Sequence, residues 1–173
     1  MEKVNVLIKK EEIQKRVEEI AAKISEDYKN EEIIMICVLK GAVCFAIDLA
    51  KKIKNENLIL DFIKVSSYGT NQRETTGKIN FKLDVSEDIE NKNVIIVEDI
   101  IDSGITLNYL YDHLKTKNPK TIKICVLLDK KSRRIKPIDI DYTGFEIEDK
   151  FIFGYGLDYD EKYRNLEDIV YIG

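Results

Sequence analysis

The chain has 173 residues, 44% hydrophobic and 35% charged, which is the size and balance of one globular domain and excludes disorder, collagen and coiled coil as whole-chain descriptions. At this length the core is large enough that disulfides and structural metals are not needed for stability. With 28 basic against 32 acidic residues the net charge is −4, which argues against a strongly basic nucleic-acid surface.

Residues 1–16 are charged throughout and lack the apolar core of a signal peptide. Residues 11–28 put Ile13, Val17, Ile20, Ala21 and Ile24 on one face and predict an amphipathic helix. Residues 33–39 form a short apolar run rich in branched side chains, which predicts a strand buried on both faces. A helix is expected over 41–53 and a second strand over 58–65. The polar, glycine-punctuated stretch 66–78 reads as a long loop, with 79–83 a short strand pairing beside it. Residues 94–97 predict the next buried strand. Asp102 or Ser103 caps a helix running to about Lys115, with Leu107, Leu110 and Leu114 inward. Another buried strand is expected over 122–128. The segment 138–172 reads as short strands broken by Gly144, Gly154 and Gly156.

Neither 33–39 nor 41–47, the longest apolar stretches, approaches the roughly 20 residues of a membrane helix. The expected location is the cytoplasm, with no membrane partner. Cys37, Cys44 and Cys125 are odd in number and embedded in apolar runs, so they read as small buried hydrophobes. His113 is the one histidine and reads as a surface or satisfied helix residue. One histidine and no paired cysteines leave zinc hydrolysis and Ser-His-Asp chemistry almost no material.

Strands alternating with helices predict an α/β fold: a twisted, mainly parallel sheet flanked by helices, built with right-handed crossovers. Such sheets bind ligands at the carboxyl ends of their strands. That rule brings Lys40-Gly41, 66–78, 98–106 and 129–134 to one cleft. The central segment, VIIVEDIIDSGITL over 94–107, joins a buried strand to a glycine-containing helix start, an arrangement that binds phosphate through free N–H groups and the helix dipole. Ser103 and Thr106 add hydroxyl donors. Three carboxylates, Glu98, Asp99 and Asp102, beside a phosphate call for a ligand with hydroxyls or one that brings Mg²⁺. A phosphorylated sugar carrying a metal-bound pyrophosphate has both. The P-loop spacing is absent, and Gly154 and Gly156 lack the third glycine of a dinucleotide fingerprint.

VIIVEDIIDSGIT resembles the phosphoribosyl-pyrophosphate motif of type I phosphoribosyltransferases. In its E-D-I-I-D-S-G form it is similar to that of the bacterial hypoxanthine (hypoxanthine-guanine) branch. The resemblance extends to LKG at 39–41, SSYG at 66–69, LLDKKSRR at 127–134 and KFIFGYGLDYDEKYRNL at 150–166, nearly the whole chain in order. It implies a single domain, with a core over about 33–134 and a small hood built from the N-terminal segment and about 135–173.

The resemblance also implies roles. Glu98 and Asp99 match the pair that holds the ribose hydroxyls and the metal environment, and Asp102 the general base near purine N7. Asp102, Ser103, Gly104, Ile105 and Thr106 match the loop around the 5′-phosphate. Lys40 and Gly41 match the pyrophosphate loop, with a cis peptide before the lysine, and Arg164 the arginine that reaches pyrophosphate. On the purine side, Lys130 matches the donor to the 6-oxo group, Phe151 the stacking aromatic and Ile152 a source of backbone contacts. Asp158 matches a carboxylate tied to a second Mg²⁺. Ser67 and Tyr68 match the lid. The implied metal residues are thus Glu98, Asp99 and Asp158, the cofactor Mg²⁺, and the partners a purine base, phosphoribosyl pyrophosphate and further copies of the chain in a homodimer or homotetramer. The implied activity makes IMP, and GMP, in purine salvage. Two rival readings are a xanthine-preferring type I transferase and an RNA-binding, nucleotide-sensing regulator on the same fold.

Overall fold

The larger of two sheets is built around β2 (Ile33–Val38), whose six residues are all buried. In this computed structural model, residues 3–67 and 79–173 are described. The sheet order is β4-β3-β2-β5-β6-β7, with β3 at Leu58–Ser67, β4 at Ile79–Leu83, β5 at Asn93–Ile101, β6 at Thr121–Asp129 and β7 at Tyr142–Glu146. All its pairings are parallel except β3 with the edge strand β4. The expected mainly parallel α/β sheet is therefore present.

Strand alternation splits the core between the two sheet faces. Met35, Cys37, Ile95, Val97, Cys125 and Leu127 pack on one face against α1 (Lys10–Asp27) and α2 (Val43–Lys52). Ile34, Ile36, Val94, Ile96, Ile124 and Val126 pack on the other against Leu107, Leu110 and Leu114 of α3 (Ile105–Lys115). These are the inward residues expected for α1 and α3. Cys37 and Cys125 are buried and Cys44 half-buried, all as free thiols. Burial pushes the Cys37 thiol up to about 12. His113 is satisfied, its Nε2 lying 3.0 Å from Asp84 Oδ2.

A three-stranded antiparallel sheet, β1-β9-β8, is built from β1 (Val4–Ile8), β8 (Ile152–Phe153) and β9 (Ile169–Ile172), strands that lie within the segments expected to make the hood. Its limits differ from the expectation. β7 lies beyond residue 135 but pairs with β6 in the larger sheet, from Cys125↔Tyr142 to Asp129↔Glu146. Gly144 does not break a strand; it sits inside β7, where any side chain would run into the Leu127 carbonyl. The helix expected from 41 starts at Val43, leaving Lys40 and Gly41 in a turn.

Candidate active site

β5 runs further than its apolar stretch suggests, to Ile101, because Glu98, Ile100 and Ile101 stay in register with Val126, Leu128 and Asp129 of β6. The strand thereby carries the acidic pair to the carboxyl edge of the sheet. Glu98 is buried and Asp99 half-buried. Burial and the neighbouring Asp99 charge hold the Glu98 carboxyl well above the usual range. Two desolvated carboxylates on adjacent residues form a site for donors: ligand hydroxyls or a cation.

The chain then turns into α3. Neither Asp102 nor Ser103 caps that helix as a strong side-chain acceptor; the N-cap is Gly104, at φ 81°. Glycine tolerates this left-handed conformation, and a side chain would strike the Lys136 carbonyl. Ser103 shapes the turn instead. Its carbonyl accepts from the N–H groups of Ile135 and Lys136, both at 2.9 Å, and its Oγ accepts from Ile105 N–H at 3.3 Å. A cavity of about 210 Å³ is lined by Glu98, Asp99, Ile100, Ile101, Asp102, Ser103, Gly104, Thr106 and Leu107, so the segment singled out in the sequence encloses a space of its own.

Two further segments reach this edge. The Leu39–Lys40 peptide is cis. Gly41 is pressed against the Asp99 carboxylate so closely that a Cβ there would overlap it. From the end of β6 comes Lys130, whose side chain is only 10% exposed. Its ammonium donates to the Lys150 carbonyl at 2.7 Å and lies 3.6 Å from Asp149 Oδ1 and 3.8 Å from Asp102 Oδ1. The proposed base and the proposed 6-oxo donor are therefore neighbours.

Residues 150–164 meet this edge through the Lys150 carbonyl on Lys130 and the Glu161 carboxylate on Lys40. Phe151 is 52% exposed, and its ring and that of Tyr159 stand at 77° with centroids 5.3 Å apart. The Phe151 carbonyl accepts from Ile172 N–H at 3.2 Å. By the alternation of an antiparallel ladder, the N–H and C=O of Ile152 then face the open edge of β8. Beyond β8, Arg164 donates to the Gly156 carbonyl at 2.8 Å and lies 3.4 Å from Asp158 and 3.1 Å from Glu161. Lys40 Nζ is 2.6 Å from Glu161 Oε2, which joins the 39–41 turn to the 158–164 turn.

The carboxylates expected around metal lie in two places. Glu98 and Asp99 lie near the carboxyl end of β5, whereas Asp158 accepts from Glu161 N–H at 2.8 Å and faces Arg164. Among the described residues no group of three or more His, Cys, Asp or Glu is arranged to hold a metal. Of the lid residues, Ser67 ends β3 in its backbone and Tyr68 lies outside the described residues.

Arg134, at the end of the 129–134 segment, carries a role that the motifs do not assign. Its guanidinium pairs with the buried Asp129, and its Nε donates to the Asp102 carbonyl at 3.1 Å. One side chain thus fixes the ends of β5 and β6 to each other. The signal was the basic run KKSRR directly after a buried strand.

The phosphoribosyl transferase domain family model matches residues 6–160, and the chain belongs to that family. Within it, the chain is 46% identical over 168 residues to the hypoxanthine-guanine phosphoribosyltransferase of Bacillus subtilis, covering 97% of this chain and 91% of the relative. A crystal structure of a hypoxanthine-guanine phosphoribosyltransferase from Bacillus anthracis, with HEPES in its active site, superposes with a TM-score of 0.93 at 50% identity and covers the whole of both chains. The hypoxanthine phosphoribosyltransferase of Trypanosoma cruzi, in complex with its product IMP, superposes at 0.89 with 41% identity over 97% of this chain and 93% of that one.

Proposed function

We propose that the protein is a purine-salvage enzyme that transfers the 5-phosphoribosyl group from phosphoribosyl pyrophosphate to hypoxanthine, and to guanine, giving IMP or GMP and pyrophosphate. The observation that carries this reading is the convergence of the Lys130 ammonium, the Asp102 carboxylate and the cavity over 98–107 at one sheet edge.

The 5′-phosphate rests in the turn from Asp102 to Thr106, where the start of α3 supplies N–H donors and hydroxyls. Glu98 and Asp99 accept from the ribose hydroxyls. The purine stacks on Phe151, offers its edge to the open backbone of Ile152 and accepts from Lys130 at its 6-oxo group. Its ring nitrogen N9 forms a bond to the sugar C1 carbon as the C1–oxygen bond breaks, the electron pair leaving on pyrophosphate, and the N7 proton passes to Asp102. Lys40 and Arg164 receive the leaving charge. No protein nucleophile is required.

Mg²⁺ fits this arrangement. Glu98 and Asp99 would supply the protein's share of one cation site whose remaining oxygens belong to substrate, the usual habit of Mg²⁺ on phosphates, and Asp158 would stand beside a second Mg²⁺. When bound, it supplies charge neutralisation of pyrophosphate. No helix of the described residues is long and apolar enough to cross a membrane. A cytoplasmic enzyme assembled as a homodimer or homotetramer completes the proposal, with Ser67 and Tyr68 at the lid.

The test is turnover on hypoxanthine, guanine, xanthine and adenine with phosphoribosyl pyrophosphate and Mg²⁺. Hypoxanthine and guanine should be the efficient bases. A clear preference for xanthine, or for adenine, would overturn the assignment.

A further inference from the structure

Lys40 and Arg164 already hold an anion. The Glu161 carboxylate lies between them, with one oxygen 2.6 Å from Lys40 Nζ and the other 3.1 Å from an Arg164 guanidinium nitrogen. The turn that presents it is built for this: Asp160, Glu161 and Tyr163 all have positive φ, at 53°, 61° and 69°, and the Glu161 N–H is tied to Asp158 at 2.8 Å. The hydrogen bond from Lys40 holds the Glu161 carboxyl below its ordinary range.

We propose that Glu161 is an internal counter-ion of the pyrophosphate subsite. It pairs with both cations in the free enzyme, is displaced when substrate pyrophosphate arrives, and returns to them as product pyrophosphate leaves. The inference rests on the reading of Lys40 and Arg164 as the pyrophosphate cations. Two observations favour displacement over a permanent staple. A carboxylate offers the same sign and the same two-oxygen fork as a phosphate edge, so the two compete for the same donors. And the Glu161 side chain is 64% exposed, so it exchanges its partners for water at little cost. Electrostatics requires the exchange: two cations neutralised by an attached anion attract a free one less than bare cations do.

The two roles predict opposite signs. A staple, once removed, loosens both turns and weakens pyrophosphate binding. A competing counter-ion, once removed, strengthens it. Calorimetric titration of the full chain with magnesium pyrophosphate, in wild type, Glu161→Gln and Glu161→Ala, decides between them. Both variants should bind about three- to tenfold more tightly, the range of releasing exposed ion pairs, and affinity for IMP alone should stay within about twofold. Equal or weaker pyrophosphate binding in correctly folded variants overturns the counter-ion role. Lys40→Ala and Arg164→Ala separate the two levels of the argument. If they leave pyrophosphate affinity intact, the reading of the subsite fails and this inference with it. If they weaken binding while the Glu161 variants do not strengthen it, the inference alone fails.

Discussion

Lys130→Met isolates the contact that should choose among purines. The wild-type side chain is nearly buried, and its ammonium spends one of three donors on the Lys150 carbonyl at 2.7 Å. Two donors remain, with Asp149 and Asp102 the nearest anions at 3.6 and 3.8 Å. Methionine has similar length and no charge, so the fold should persist. Against hypoxanthine the variant loses one hydrogen bond from a charged donor to the 6-oxo group, worth ~1.5–3 kcal/mol. That corresponds to a fall of about 10- to 150-fold in kcat/KM. Adenine meets the wild-type ammonium with an amino group, donor against donor, a mismatch that polar sites can reject by ~10⁴–10⁵. Removing the cation removes that penalty, so the hypoxanthine-to-adenine ratio should shrink by about a hundredfold or more. The assay is kcat/KM for both bases at saturating phosphoribosyl pyrophosphate, whose own KM should hold within about threefold if Lys130 serves the purine as proposed. An unchanged base ratio would refute the assignment, whatever happened to the absolute rates.

Asp102→Asn should lower kcat by ~10²–10⁴ while phosphoribosyl pyrophosphate binding persists, since the Asp102 carbonyl still accepts from Arg134; single-turnover rates and a substrate titration check both halves. Gly104→Ala should lower the melting temperature by about 2–8 °C or more and raise the KM for phosphoribosyl pyrophosphate, because its φ of 81° costs an L-residue ~1–2 kcal/mol before the added methyl meets the Lys136 carbonyl. Stability should fall in acid. The Tyr142 hydroxyl holds Asp27 below the usual carboxylate range; at Asp61 and Asp84 burial pushes upward, but backbone N–H donors and, for Asp84, His113 outweigh it. Carboxyls depressed in the folded state stabilise it above their unfolded pKa of about 4, and that stability is lost as pH drops through the folded values. Denaturant midpoints at pH 7 and pH 3 test this, and Asp61→Asn should flatten the difference.

The sheet and its two helical faces were legible because residues 33–38, 94–97 and 124–128, the centres of β2, β5 and β6, are apolar runs and because α1 and α3 keep strict helical spacing. The ends of elements were not. The apolar run that marks β5 stops at Val97, whereas pairing with β6 keeps Glu98 inside the sheet. The five residues of β7, with a central glycine, carry little strand signal of their own, and the approach of the Leu127 backbone explains Gly144. At the site, motifs identified the segments but not their mutual contacts. That Lys130 is buried beside Lys150, that Arg134 fastens β6 to Asp102, and that Glu161 reaches Lys40 are all links between separate stretches of chain that no local pattern encodes.

The most direct measurement follows all products of one reaction, with hypoxanthine, phosphoribosyl pyrophosphate and Mg²⁺ mixed with the full chain and IMP and pyrophosphate quantified together. Phosphoribosyl transfer predicts the two in equal amounts, with nothing formed when the base is omitted. Release of pyrophosphate without a matching amount of IMP would mean that water, not the purine, takes the sugar, and would contradict the function assigned to Asp102, Lys130 and the cavity at the end of β5.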